Sequence, residues 1–445
     1  MTPLGWSIVL QWSRVGITAV LFLFAARVLS LVELGLFATA FAPVRLTQSL
    51  YRAGIGEAVV VYGDRPGRRT ALFAISTVSG VFVATALAGV AVILKSPLLA
   101  MLAVVPLISG VGAVFEGVLR REMRIRDLAL RTVVCQSLAA LVAFWMLLEG
   151  FGAWALACFA VLNAALSAVA AYWLAGWRPR QAPPLARVRL VMPKVAQIAV
   201  RDILNSGLLP VAQMLVAAGL GLAAAGAFQI AVRLLGLIDA VTLAPMRFTA
   251  LPSLRRVEGS AFEATVRDQL RQSATIAAWV WGGTLAVASD LVTLVVGATH
   301  GAAAVGPLVG LAGVGLISAL TMPVSQATMA KGEAGLVLYR AALFFGIGSS
   351  MTIGLLWADA TVVSLGLSIS AFGVFGWFLS AALPRLGLVG ADLIVVVRPL
   401  AGGLAMVAAL YLIPPMPLWA SVVLGTLIYA AVLGFGRVVR LRVAL

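Results

Sequence analysis

Residues 70–94, TALFAISTVSGVFVATALAGVAVIL, contain no Asp, Glu, Lys or Arg. An α-helix rises about 1.5 Å per residue, so about 20 apolar residues cross the hydrocarbon core of a bilayer. Barrel strands would show alternating segments of about ten residues instead. Comparable runs fill the rest of the chain, and 62% of its 445 residues are apolar. Only 11% are charged, against about 25% in soluble domains. The sequence therefore predicts an all-α polytopic membrane protein of about 14 transmembrane helices. The first is expected at residues 5–29, the second at 34–60, the seventh at 194–218, the eighth at 223–253, the ninth at 273–297 and the last at 417–436. Residues 1–13 carry no Lys or Arg. A cleaved signal peptide wants a basic segment there, so 5–29 is read as the first span.

The connections are asymmetric. Alternate loops, beginning with GDRPGRRT and ending with RVVRLR, hold 24 of the 32 basic residues. The opposite loops are short and hold one, Lys95. Lys and Arg collect on the cytoplasmic side, which predicts that both termini are cytoplasmic. The net charge of +16 then reports topology, and no aromatic-studded basic domain exists to bind nucleic acid.

Several enzyme classes lack their residues. There is no GxxxxGK[ST] phosphate loop for ATP and no DxD metal motif. No external loop is long enough for a polymerase or ligase. Cys135 and Cys158 fall inside spans, and His300 has no Cys or His companion, so neither a metal nor any other cofactor is expected.

The longest connection suggests lobes at 1–176 and 194–383, a linker at 177–193, and an appended segment at 384–445 with two more spans. LGLFATAFAPVRL at 34–46 and AGAFQIAVRLLGL at 225–237 echo one another. Each has a small residue or Gly, then Phe, then a run holding Arg, as repeated transporter halves do. Between 255 and 271, Ser260 and Glu263 form a capping-box pattern and Glu263 and Arg267 an i, i+4 pair. A short cytoplasmic surface helix is expected there.

RVLSLVELGLFATA, LYRAGIGEAVV, VLRREMRIRDLALR, GFGAWALA and WRPR occur in this order over residues 5–180. Together they resemble bacterial polysaccharide flippases of the multidrug/oligosaccharidyl-lipid/polysaccharide superfamily. The C-terminal half is similar only through AGAFQIAVRLL and its span count. The resemblance implies two pseudo-symmetric six-helix lobes around a central cavity, plus two C-terminal helices. It implies movement of undecaprenyl-pyrophosphate-linked oligosaccharide to the outer leaflet, with the lipid-linked sugar, membrane lipids, and the polymerase and glycosyltransferases of assembly as partners.

Charges inside the spans carry the functional expectation. An Arg at a helix centre costs about 2.5–3.5 kcal/mol to insert, so it faces either a watery cavity or an acid on another helix. Arg14 lies about nine residues into the first span, with Gln11 one turn earlier on the same face. Arg45, Gln48 and Arg52 form a stripe on the second span, with Pro43 expected to bend it. Arg52 is alternatively a snorkelling side chain or a partner of Glu57. The seventh span adds Arg201, Asp202 and Asn205, with Pro210 further in. The eighth adds Gln229, Arg233 and Arg247, with Asp239 as the local acid and Pro245 and Pro252 as breakers. Arg27 is read as snorkelling, and Arg398 as a local ion pair. Asp202, Asp239 and Asp290 are candidates for a coupling ion. Basic residues dominate, and guanidinium forks suit phosphate oxygens, so the expected cavity is cationic and binds a pyrophosphate. A cation-coupled exporter of small molecules, needing paired carboxylates, is the competing transporter reading.

Overall fold

The computed structural model describes residues 3–63, 66–179, 185–242, 246, 250, 253–254, 257–414 and 416–443. Among them there is no strand, and helices carry nearly all of the chain. Among the described residues, nine helices are long and apolar enough to cross a membrane, or eleven if each of two bent pairs makes one span. This is a multi-pass membrane protein. The expected number, about 14, also includes the first two helices and the last.

Two compact units divide the chain, Met1–Gly226 and Ala227–Leu445. The expected boundary at 177–193 lies inside the first unit. That unit contains α1 (Pro3–Val28), α2 (Leu31–Ser49), a π-helical turn (Leu50–Ile55), α3 (Gly56–Tyr62), α4 (Pro66–Ile93) and α5 (Pro97–Leu102). It continues with α6 (Val104–Arg121), α7 (Ile125–Leu148), α8 (Ala153–Ala175), α9 (Leu185–Ser206), α10 (Leu208–Leu220) and the first turn of α11 (Leu222–Thr242).

Ser30 caps α2 in a full capping box with Glu33. The helix runs on through Pro43. The irregularity expected at that proline occurs instead at the π turn, where Gly54 allows Ala199 of α9 to approach. The true break falls between α9 and α10, which meet at an angle of 56°. Pro210 explains it. Its ring excludes the carbonyl of the residue four earlier, Ser206, which is the last residue of α9.

α1 packs on α7, α7 on α8, and α6 on both α4 and α8. Ser76 donates to the Gly110 carbonyl, and Gly80 lets α4 and α6 come that close. Phe115 anchors an apolar cluster with Tyr51, Val59, Leu72, Val118 and Leu128. At another crossing, α2 meets residues 222–226. A Cβ on Gly35 would overlap the carbonyl of Leu222, and one on Gly226 would overlap the carbonyl of Leu31. Each glycine faces the residue four before the other, and both belong to the echoed sequence segments.

The second unit contains the rest of α11, then α12 (Gly259–Ala286), α13 (Ala288–Val296), α14 (Ala298–Ala330), α15 (Ala334–Gly354), α16 (Ala360–Leu386), α17 (Ile394–Leu412) and α18 (Leu418–Val443). The short surface helix expected near 260 is the beginning of the 28-residue α12, whose N-cap is Glu258 with no side-chain cap. Arg267 pairs with Asp392 at 3.0 Å. The local i, i+4 pattern was outcompeted by a tertiary acid. α12 and α13 meet at 74°. α14 and α16 pack closely through Gly306, Gly310 and Gly313, set against Thr361, Ser364 and Ser368. Such small residues let helix backbones approach in lipid, where apolar burial drives nothing. Ser368 locks the seam by donating to the Gly310 carbonyl and accepting from the Val314 amide at 3.0 Å. α17 meets α12 the same way, through Gly403 and Ala278.

Candidate functional site

The first unit gathers charge around one carboxylate that the span-by-span reading did not single out. Glu116, on α6, receives guanidinium groups from three directions. Arg14 of α1 reaches Oε1 at 3.2 Å, and Arg131 of α7 reaches Oε2 at 3.0 Å. Arg120, one turn along α6, shares Oε1. Among the described residues, three arginines share this one glutamate. The Arg131 side chain is 3% exposed, and its Nε has no hydrogen-bond partner. Arg14 and Arg120 are about a quarter to a third exposed.

The backbone beneath Arg14 is fixed independently of its side chain. Gln136 of α7 donates from Nε2 to the Arg14 carbonyl at 3.1 Å and also to Thr18 Oγ1. Thr18 donates to the same carbonyl at 2.8 Å. Glu116 lies five residues before the end of α6, a rise of about 7 Å, so the cluster sits near that end of its span. The signal was present in GAVFEGVLRR, since an acid inside an apolar helix calls for a counter-charge. Reading Arg120 and Arg131 only as loop charges concealed it.

The other expected site residues are dispersed. Arg45 and Gln48 are half-buried on α2. No ion pair or hydrogen bond engages the Arg45 guanidinium among the described residues. The Gln11 and Arg52 side chains lie outside the described residues, as do Arg247, Pro245 and Pro252. Glu57, the alternative partner of Arg52, accepts from Arg201 at 2.9 Å across α3 and α9. Asn205 is exposed and donates to the Arg201 carbonyl, while Asp202 is half-buried on the same helix. In the second unit, Gln229 is buried on α11, with Arg233 and Asp239 half-buried further along it. Asp290 is exposed in the first turn of α13, where the helix dipole favours a negative charge. No group of three or more His, Cys, Asp or Glu side chains is suited to a metal among the described residues.

Arg27 is exposed in the last turn of α1. Arg398, expected as half of an ion pair, binds the carbonyls of Val432 and Leu433 on α18. Three flanking arginines bind carbonyls at helix ends instead. Arg121 donates to Val60 at 2.6 Å, Arg69 to Gly63 at 2.8 Å and Arg124 to Leu174 at 2.7 Å. Helices end with unpaired carbonyls, so these basic residues close helix ends besides marking topology.

A family model described as "Polysaccharide biosynthesis protein" matches residues 24–304. Among solved structures, the fold is similar to the lipid II flippase MurJ in an inward closed conformation. The TM-score is 0.79 at 11% identity, over 97% of this chain and 98% of that one. An inward-facing multidrug resistance MATE family transporter of the MOP superfamily gives 0.65 at 16% identity, over 85% and 95% of the two chains. A MOP superfamily transporter from Pyrococcus furiosus, described as having a binding pocket of reversed polarity, gives 0.52 at 14%, over 87% and 98%. At these identities the likeness is one of fold. No curated protein matches the chain.

Proposed function

The chain belongs to the polysaccharide biosynthesis protein family, and from that premise we propose that it is a flippase for undecaprenyl-pyrophosphate-linked oligosaccharide, working by alternating access in the bacterial inner membrane. The substrate is a precursor of exopolysaccharide, O-antigen or capsule. The topology is fourteen spans with both termini cytoplasmic, arranged as two lobes and an appended pair. In this reading Arg14, Arg45 and Arg233 grip the pyrophosphate, polar side chains admit the glycan, and the lipid tail remains in the bilayer. The protein transports and performs no bond chemistry, and polymerase and glycosyltransferases act before and after it.

The observation that supports this reading is the gathering of guanidinium on α1, α6 and α7, where among the described residues three arginines share a single carboxylate. An anionic headgroup is the natural counterpart of such a gathering, and guanidinium binds phosphate oxygens with paired, charge-assisted hydrogen bonds. An exporter of organic cations would want the opposite sign.

The test is glycan export in cells whose copy carries Ala or Lys at Arg14, Arg45 or Arg233, at equal protein level. Each Ala variant loses most of its export, and each Lys variant retains part, because Lys keeps the charge without the fork. Full export by every variant removes the proposal.

A further inference from the structure

We propose that Glu116 is a positioning residue that competes with the substrate's pyrophosphate for Arg14, setting how tightly the headgroup is held and how readily it leaves. This rests on the reading of Arg14 as a phosphate ligand given above.

The geometry separates the three arginines by what each has to lose. Arg131 is enclosed, and Glu116 Oε2 is the acid it meets. It is the fixed counter-ion. Arg120 rises from the same helix one turn away, so its contact with Oε1 needs no tertiary movement. Arg14 comes from another helix, makes the longest of the three contacts, and keeps part of its side chain open to solvent. When Arg14 departs, both carboxylate oxygens remain occupied, Oε1 by Arg120 and Oε2 by Arg131. Glu116 is therefore never left as a bare buried charge.

Departure needs no backbone motion either. The main chain at Arg14 is held by Gln136 and Thr18 through its carbonyl. The long side chain alone turns from the carboxylate to a phosphate. Pyrophosphate offers more charge and more oxygens than one carboxylate, so it wins when present. When the headgroup leaves, Glu116 takes Arg14 back. A carboxylate in this place weakens binding and speeds release.

The purified full chain in lipid nanodiscs is titrated with farnesyl pyrophosphate, reading tryptophan fluorescence, and the same variants are assayed for glycan export in cells. Glu116→Gln removes the competing charge and keeps the side-chain shape. Glu116→Asp keeps the charge for Arg131 but withdraws it from Arg14, and so decides the matter where the Gln variant does not fold. One charge-assisted hydrogen bond corresponds to about ten- to hundred-fold in affinity. Glu116→Gln is expected to tighten binding about ten-fold while lowering the export rate, and Glu116→Asp to do so in smaller measure. A purely structural role for Glu116 would lower export without tightening binding. Unchanged or weaker affinity in a folded variant overturns the proposal. Arg14→Gln tells the two readings apart. If it weakens binding about ten-fold while the Glu116 variants bind as the parent does, only the competition idea falls. If it binds as tightly as the parent, Arg14 is not a phosphate ligand and both fall.

Discussion

Substituting Gly35 by Ala tests the packing of the first unit at its tightest crossing. A Cβ there would stand 2.7 Å from the Leu222 carbonyl carbon and 3.0 Å from the Gly226 nitrogen. Carbon contacts are comfortable at about 3.5–4.0 Å, so the shortfall is about 1 Å. The obstructing atoms are backbone and cannot rotate away, so the two helices must separate along their contact. Overpacking of this kind costs about 1–3 kcal/mol. Gly226→Ala meets the mirror obstacle, with the Leu31 carbonyl carbon at 2.8 Å and its Cα at 3.1 Å. Because the two glycines face one another's helices at the same place, separation forced by either methyl makes room for the other. The double variant is therefore expected to lose about as much as one single variant, a coupling of about 1–2 kcal/mol between contacting sites. Thermal unfolding in detergent, followed by tryptophan fluorescence, measures all three. Losses that add, or single losses below about 0.5 kcal/mol, would refute the reasoning.

Other consequences are more local. Gly310→Leu should lower the unfolding midpoint by separating α14 from α16, since Ser364 Cβ stands 2.6 Å from the site of its Cβ, and the loss should be about 1–3 kcal/mol or more. Arg398→Met keeps the aliphatic stem but frees the Val432 and Leu433 carbonyls. Hydrogen exchange should then rise where α17 packs on α18, around Val432 and Leu433, with export at normal protein level unchanged.

The sequence made the membrane class and the positions of the apolar helices legible, because transfer into lipid is summed over about 20 residues and survives local error. Where helices break was less legible. Pro43 and Pro210 look alike in sequence, yet the first sits inside a continuous helix and the second stands just after a bend. Capping patterns divided the same way. Ser30 and Glu33 form their box, while Ser260 and Glu263 lie inside a helix that begins at Gly259. The charged site was legible in sign but not in partnership. Arg14 and Glu116 are 102 residues apart, and nothing local specifies that α1 lies beside α6 at that height. Arg201 likewise chose Glu57, an acid the sequence had offered to Arg52.

The π turn at Leu50–Ile55 has a bearing on how this helix can change over time. A π turn arises when one surplus residue is lodged in an α-helix without unravelling it. The surplus residue is taken up within the turn, so the residues on either side keep the angular positions they would have in an uninterrupted α-helix. The faces carrying Arg45 and Gln48 hold their direction relative to α3 whether or not that residue is present. The bulge thus buffers chain length, where one codon gained or lost alters the turn and leaves the row of side chains above it in place.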